Sequence, residues 1–172
     1  MIRLIAAATA SVLLASSALA DSAMPTDPQI AHIAHTAGTL DIEAAKQALS
    51  KSHNPNVVAF ANEMVRDHSA VNDKALALVK KLHVNPEANA TSASLTTTAD
   101  AERATLARLN GAAFDKAYVD NEVAYHKAVN GALRDTLIPN SQNAELKAFL
   151  GTGLKLFEQH QAHAEMLAAK LK

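Results

Sequence analysis

The chain contains no cysteine and no tryptophan, and its aromatic side chains are limited to four phenylalanines and two tyrosines. Without cysteine there is no disulfide, no thiolate nucleophile and no lipid-modified cysteine behind a leader. Any metal site must then be built from His, Asp and Glu. So few aromatics argue against a β-sandwich, an outer-membrane barrel or an aromatic sugar-binding platform. No charge of one sign dominates either, with 16 basic and 17 acidic residues interspersed and neither a basic stripe nor an acidic tail. Electrostatics therefore give no support for a nucleic-acid partner or for attachment to anionic lipids. A second long apolar run is also missing, and with it an integral span beyond the first twenty residues.

Those first residues read as a secretory signal peptide. Arg3 supplies the positive start, Leu4 to Leu14 the apolar stretch, and Ala18-Leu19-Ala20 the small-residue cleavage signature. The expected organisation is a leader at 1–20 and one domain at 21–172, exported to the periplasm. At about 152 residues that domain is large enough to bury roughly 70% of its unfolded surface.

What is abundant is alanine, set in helical patterns. The first helix is expected over Pro28–Ser52, with Thr26 or Asp27 as cap and Ile30, Ile33, Ala37, Leu40 and Ala44 on its apolar face. Asn54-Pro55 starts the second, whose seam reads Val57, Ala61, Met64, His68, Val71, Ala75, Leu78 and Leu82. Residues 84–98, rich in Thr, Ser, Asn and Pro, read as a connection, followed by a short helix over Ala99–Leu109 capped by Thr98. Two more long helices are expected over Ala112–Leu137 and Ser141–Leu171, the last with a seam at Leu146, Phe149, Gly153, Leu156, His160, His163 and Leu167. Two tight hairpins joined by one long connection give an all-α, ferritin-like four-helix bundle with a crossover that contains a short extra helix.

Polar residues interrupt the seams. In the third long helix the seam Val119, Glu122, His126, Val129, Leu133, Leu137 puts a carboxylate and an imidazole where Leu or Val would normally sit. Burying them costs free energy unless a metal ion or mutual hydrogen bonds satisfy them. The first helix adds Glu43 at the stripe's edge, the second His68, and the last His160 and His163. Counted from the helix ends at 1.5 Å per residue, most of these fall within ~6 Å of one height along the bundle axis. Carboxylates and imidazoles from four helices at one height are how metal sites in bundle cores are built. The candidate ligands are thus Glu43, His68, Glu122, His126, His160 and His163, and the candidate cofactor is a transition metal ion: Zn, Fe, Cu or Ni. Asp67 is a surface charge or a group that orients an imidazole.

The segments FANEMVRDHSAVN (Phe60 to Asn72), FDKAYVDNEVAYH (Phe114 to His126) and LKLFEQHQAHAEML (Leu154 to Leu167), with Glu43 ahead of them, resemble the bacterial family known as domain of unknown function forty-one forty-two. The resemblance spans nearly all of Pro28 to Leu171 and implies an exported ferritin-like bundle, without bringing an activity. The ligand spacing departs from the di-iron pattern, which requires Glu-x-x-His on two helices. Glu63 and His68 are five apart, Glu122 and His126 four apart, and His160-x-x-His163 lacks a Glu at the required offset. A single imidazole-rich ion fits better than a di-iron centre. The competing reading is a non-catalytic structural or interaction module of the envelope, with the polar seam residues hydrogen-bonded to one another. A hydrolase using His126 as base finds no serine elbow to act on.

Overall fold

The computed structural model describes residues 24–171, so the signal-peptide reading lies outside the described residues. Among them the chain is helical: α1 (Asp27–Lys51), α2 (Pro55–Lys81), α3 (Ala90–Ala107), α4 (Gly111–Ala132), a π-helical turn (Leu133–Leu137), a single turn α5 (Ile138–Asn140), and α6 (Ala144–Lys170). No helix among the described residues is long and apolar enough to cross a membrane.

The helix starts follow from their caps. Gln29 reaches back to accept from the Thr26 N–H, and Pro28 lies in the first turn of α1. Asp27 does other work: its carboxylate accepts from the N–H groups of Gln142 and Asn143, tying the start of α1 to the start of α6. Asn54 caps α2 by accepting from Asn56 N–H, and Asn143 caps α6 by accepting from Glu145 and Leu146 N–H. That cap explains why α6 begins at Ala144 rather than at Ser141.

The crossover differs from the expectation. It is not a loop with a short helix after Thr98, but an 18-residue helix that begins at Ala90. Asn89 and Ser92 cap it reciprocally, each side chain bonding the other's backbone N–H. Thr96 and Thr97, which suggested a loop, turn inward on their own helix and donate to carbonyls one turn back, as Thr105 does further along. Asn89 donates to the Gln29 carbonyl near the start of α1, while Gln47 and Lys51 near its end donate to the carbonyls of Arg103 and Ala107. So α3 runs parallel to α1, and α4 begins beside the end of α1. The third long helix also ends differently. Ile138 N–H bonds the Leu133 carbonyl five residues back, a widened turn just ahead of Pro139, which has no N–H to continue the regular ladder.

The four long helices are arranged so that α1 packs on α2 and α4, and α6 packs on α4 and α2. The core is split in two. One apolar cluster joins Ala44, Ala48, Val57, Phe60, Met64, Phe114, Tyr118 and Leu167; the other joins Ile30, Ile33, Leu133, Leu137, Leu146 and Leu150. Between them lies a layer of buried polar side chains.

Candidate metal centre

Every long helix contributes to that layer at a position set by its inward stripe. In α1 the steps Ala37, Asp41, Ala44, Ala48 are four, three and four, and all four residues are buried. His68 follows Met64 in α2, Glu122 and His126 follow Val119 in α4, and His160 follows Phe157 in α6; each is buried.

The three imidazoles form a near-equilateral triangle, with ring centroids 5.7 Å apart for His68–His126, 5.3 Å for His68–His160 and 5.5 Å for His126–His160. One ring nitrogen from each lies within 4.8 Å of the others. The same holds for one ligand atom each from Asp41, Glu122 and His126, so His126 belongs to both groups. Asp41 Oδ2 lies 3.5 Å from Nε2 of His68 and equally far from Nε2 of His126.

Hydrogen bonds around the layer fix which nitrogens are free. Nδ1–H of His126 donates to the Glu122 carbonyl at 3.0 Å, leaving Nε2 as a lone pair. Nε2–H of His160 donates to Asp67 Oδ2 at 3.1 Å, leaving Nδ1 free. Asp67 is itself held by Arg66, with Nε 2.7 Å from Oδ1. This carboxylate–imidazole pairing is the arrangement that orients histidine ligands toward a metal. Phe157 stacks on the His68 ring at 4.7 Å and 8°, fixing the third imidazole without using either nitrogen.

What remains is a set of seven buried atoms with no hydrogen-bond partner in the protein: both oxygens of Asp41, both nitrogens of His68, Glu122 Oε2, His126 Nε2 and His160 Nδ1. Burial shapes their protonation. It pushes Asp41 up to about 8, and it raises Glu122 well above the carboxylate range, with the charge of Asp41 adding to the effect. It also pulls His68 down to about 3, helped by His126 and His160, and His126 to about 4. His160 is lowered by burial as well, against the opposing pull of Asp67.

Two of the sequence candidates are not brought into the layer. Glu43 lies two residues past Asp41, about 200° around the helix. Its carboxylate is partly exposed and paired with Arg103 of α3. His163 lies one turn beyond His160 at the α2–α6 edge, where Nδ1 sits 2.8 Å from Glu63 Oε2 and the ring meets Phe60 edge-on. Asp41 is the ligand candidate that the sequence reading passed over. The signal was present, because Asp41 occupies the stripe slot between Ala37 and Ala44. A third, outer group of Glu63, Asp67 and His160 also places ligand atoms within 4.8 Å of one another, at the half-buried edge.

Residues 13–167 match the family model described as Domain of unknown function (DUF4142). The chain belongs to this family. The match spans every layer residue from Asp41 to His160, so the layer lies inside the family's own domain. No curated protein and no solved structure matches the chain. The family brings no activity, and the chemistry must be read from the layer itself.

Proposed function

We propose that this protein binds one transition metal ion at mid-bundle, through His68, His126 and His160 with Asp41 and Glu122 as carboxylate ligands, for storage, buffering or stress protection outside the cytoplasm. The observation that carries the reading is the seven unpartnered buried atoms, all nitrogens and carboxyl oxygens, on converging side chains. Leaving each such group unpaired costs about 1–3 kcal/mol, a penalty that coordination removes. A purely structural layer would spend these atoms on one another. Here His68 bonds nothing, and the bonds that His126 and His160 do make use their outward nitrogens. The donor set, imidazole-rich with one or two carboxylates, suits Zn, Fe, Cu or Ni. A bound ion would supply positive charge and Lewis acidity, and with iron or copper also one-electron chemistry. The chain's own part is to hold two imidazoles by their far nitrogens and set two carboxyls against the ion. The leader expected at the N-terminus supports the extracytoplasmic assignment.

The test is elemental analysis of protein purified without a histidine tag. About one ion per chain is expected, and none in the His68→Ala/His126→Ala variant. Full metal content in that variant overturns the proposal.

A further inference from the structure

An enclosed centre needs a way in, and the two carboxylate residues of the layer also line a chamber. A cavity of about 580 Å³ opens between α1, α3 and α4, with Asp41 and Glu122 in its wall. Both are almost wholly buried, at 2% and 1% exposure, and keep unpartnered oxygens, so they form the boundary between chamber and layer. Facing them, α3 lines the chamber with Thr91, Ser94, Thr98 and Glu102, a stripe spaced three, four and four residues apart. A helix packed on a bundle normally turns its apolar stripe inward. Besides its buried Ser92 and Leu106, this one turns Leu95, Ala99 and the Glu43-paired Arg103 toward the chamber, with the hydroxyls and the Glu102 carboxylate beside them. The opposing wall includes the small side chains Ala44, Ala124 and Ala128, which leave the space open.

On the opposite flank of the layer the polar groups are already engaged. Phe157 covers the His68 ring, and the outer nitrogen of His160 is occupied by Asp67, whose two oxygens also accept from Arg66. An ion arriving there would have to break the bonds that orient His160.

We propose, building on the metal-site reading above, that divalent transition ions reach the imidazoles through the α1–α3–α4 chamber. A hydrated ion travels along the α3 hydroxyl stripe, and Asp41 and Glu122 are its first protein ligands. Each carboxyl oxygen that binds displaces one water from the ion, and any proton the carboxyl carried leaves with that water. The imidazole nitrogens of His126, His68 and His160 then replace further waters deeper in the layer. Asp41 and Glu122 thereby act as the receiving edge of the centre, and α3 as the wall that keeps the approach wet.

Stopped-flow absorbance of Co(II) uptake by the metal-freed protein tests this, using Ser94→Trp and Thr98→Trp to fill the chamber from exposed positions on α3. The expected result is uptake at least about tenfold slower, with unchanged final spectrum and stoichiometry. Glu102→Lys, which leaves the volume open, is expected to slow uptake several-fold at low salt and less at high salt. It keeps the question answerable if a tryptophan variant fails to fold. On the opposite flank, Glu63→Gln should load at the normal rate. Wild-type rates in the chamber variants, or a comparable slowing in Glu63→Gln, overturn the route. An equilibrium titration in which the unmodified protein binds no Co(II) overturns the metal reading instead, and that result is separate from any rate.

Discussion

His160 and His163 lie one turn apart on α6 and meet opposite circumstances. His163 is at the α2–α6 edge, partly exposed, with its Nδ1 on the Glu63 carboxylate. His160 is 1% exposed, with one nitrogen held by Asp67 and the other aimed at His68 and His126 without a partner. The outer imidazole is a satisfied surface pair. The inner one belongs to a layer whose polar capacity exceeds what the protein itself supplies. The candidate metal site is distinguished here less by the number of histidines than by which nitrogens are left over once local hydrogen bonds are counted.

If that contrast is right, removing inner and outer groups should give effects of very different size. The largest is expected for His68→Ala/His126→Ala. Saturating the unmodified protein with its ion at about a hundredfold over Kd should add ~2.7 kcal/mol to unfolding stability, and the double variant should gain nothing, as read from thermal melts with and without metal. Next comes Asp67→Asn, which leaves the three imidazoles in place but weakens the group that orients His160. Metal affinity should fall about 10- to 100-fold in a competition titration, and an unchanged affinity would show that Asp67 is only a surface charge after all.

A smaller effect should come from pH. In the metal-free protein Asp41 stays protonated up to about 8, whereas in the unfolded chain it ionises near its ordinary value of 3.8. A group whose folded pKa is raised contributes stability at low pH and loses it as pH climbs toward the folded value. His68 and His126, pulled down to about 3 and about 4, act in the opposite sense, but only below their ordinary 6.5. Between about 6.5 and 8 the carboxyls act alone, so metal-free stability should decline by about 1.4 kcal/mol per pH unit for each proton involved. Melts across that range should show the decline in metal-free protein and its absence once an ion neutralises Asp41. The smallest effects belong to the outer groups. His163→Ala and Glu43→Ala should each change stability by no more than about 1 kcal/mol and leave metal content untouched, since both pairs are substantially exposed. Loss of the ion in either variant would erase the inner–outer distinction.

Much of this architecture is legible in the sequence because it rests on local rules. Asn54-Pro55 marks a hairpin by cap chemistry, and the three-four spacing of Met64, His68 and of Glu122, His126 assigns faces without tertiary knowledge. The parallel course of α2 and α4, which sets their polar residues at one height, follows from a single long crossover. Composition was the poorer guide at α3. Its threonines lower helix propensity, yet their hydroxyls can bond the preceding turn and the helix gains α1 as a packing surface, neither of which a composition window contains. Asp41 and Glu43 show a different limit. Both are carboxylates of α1, but Asp41 lies on the buried stripe, and two residues of offset carry Glu43 to nearly the opposite side of the helix. The stripe spacing favours Asp41, whereas the pairing of Glu43 with Arg103 of α3 is visible only in the fold.

The division of the core into two apolar clusters has a mechanical consequence. Each long helix runs past both clusters, and the buried polar layer lies between them at mid-height. With its carboxyls forced to ionise and nothing to offset them, the layer becomes a fault plane across which the ends can open separately. Were five donors gathered on one ion, the same plane would become the rivet of the bundle, and its two ends would melt as one body.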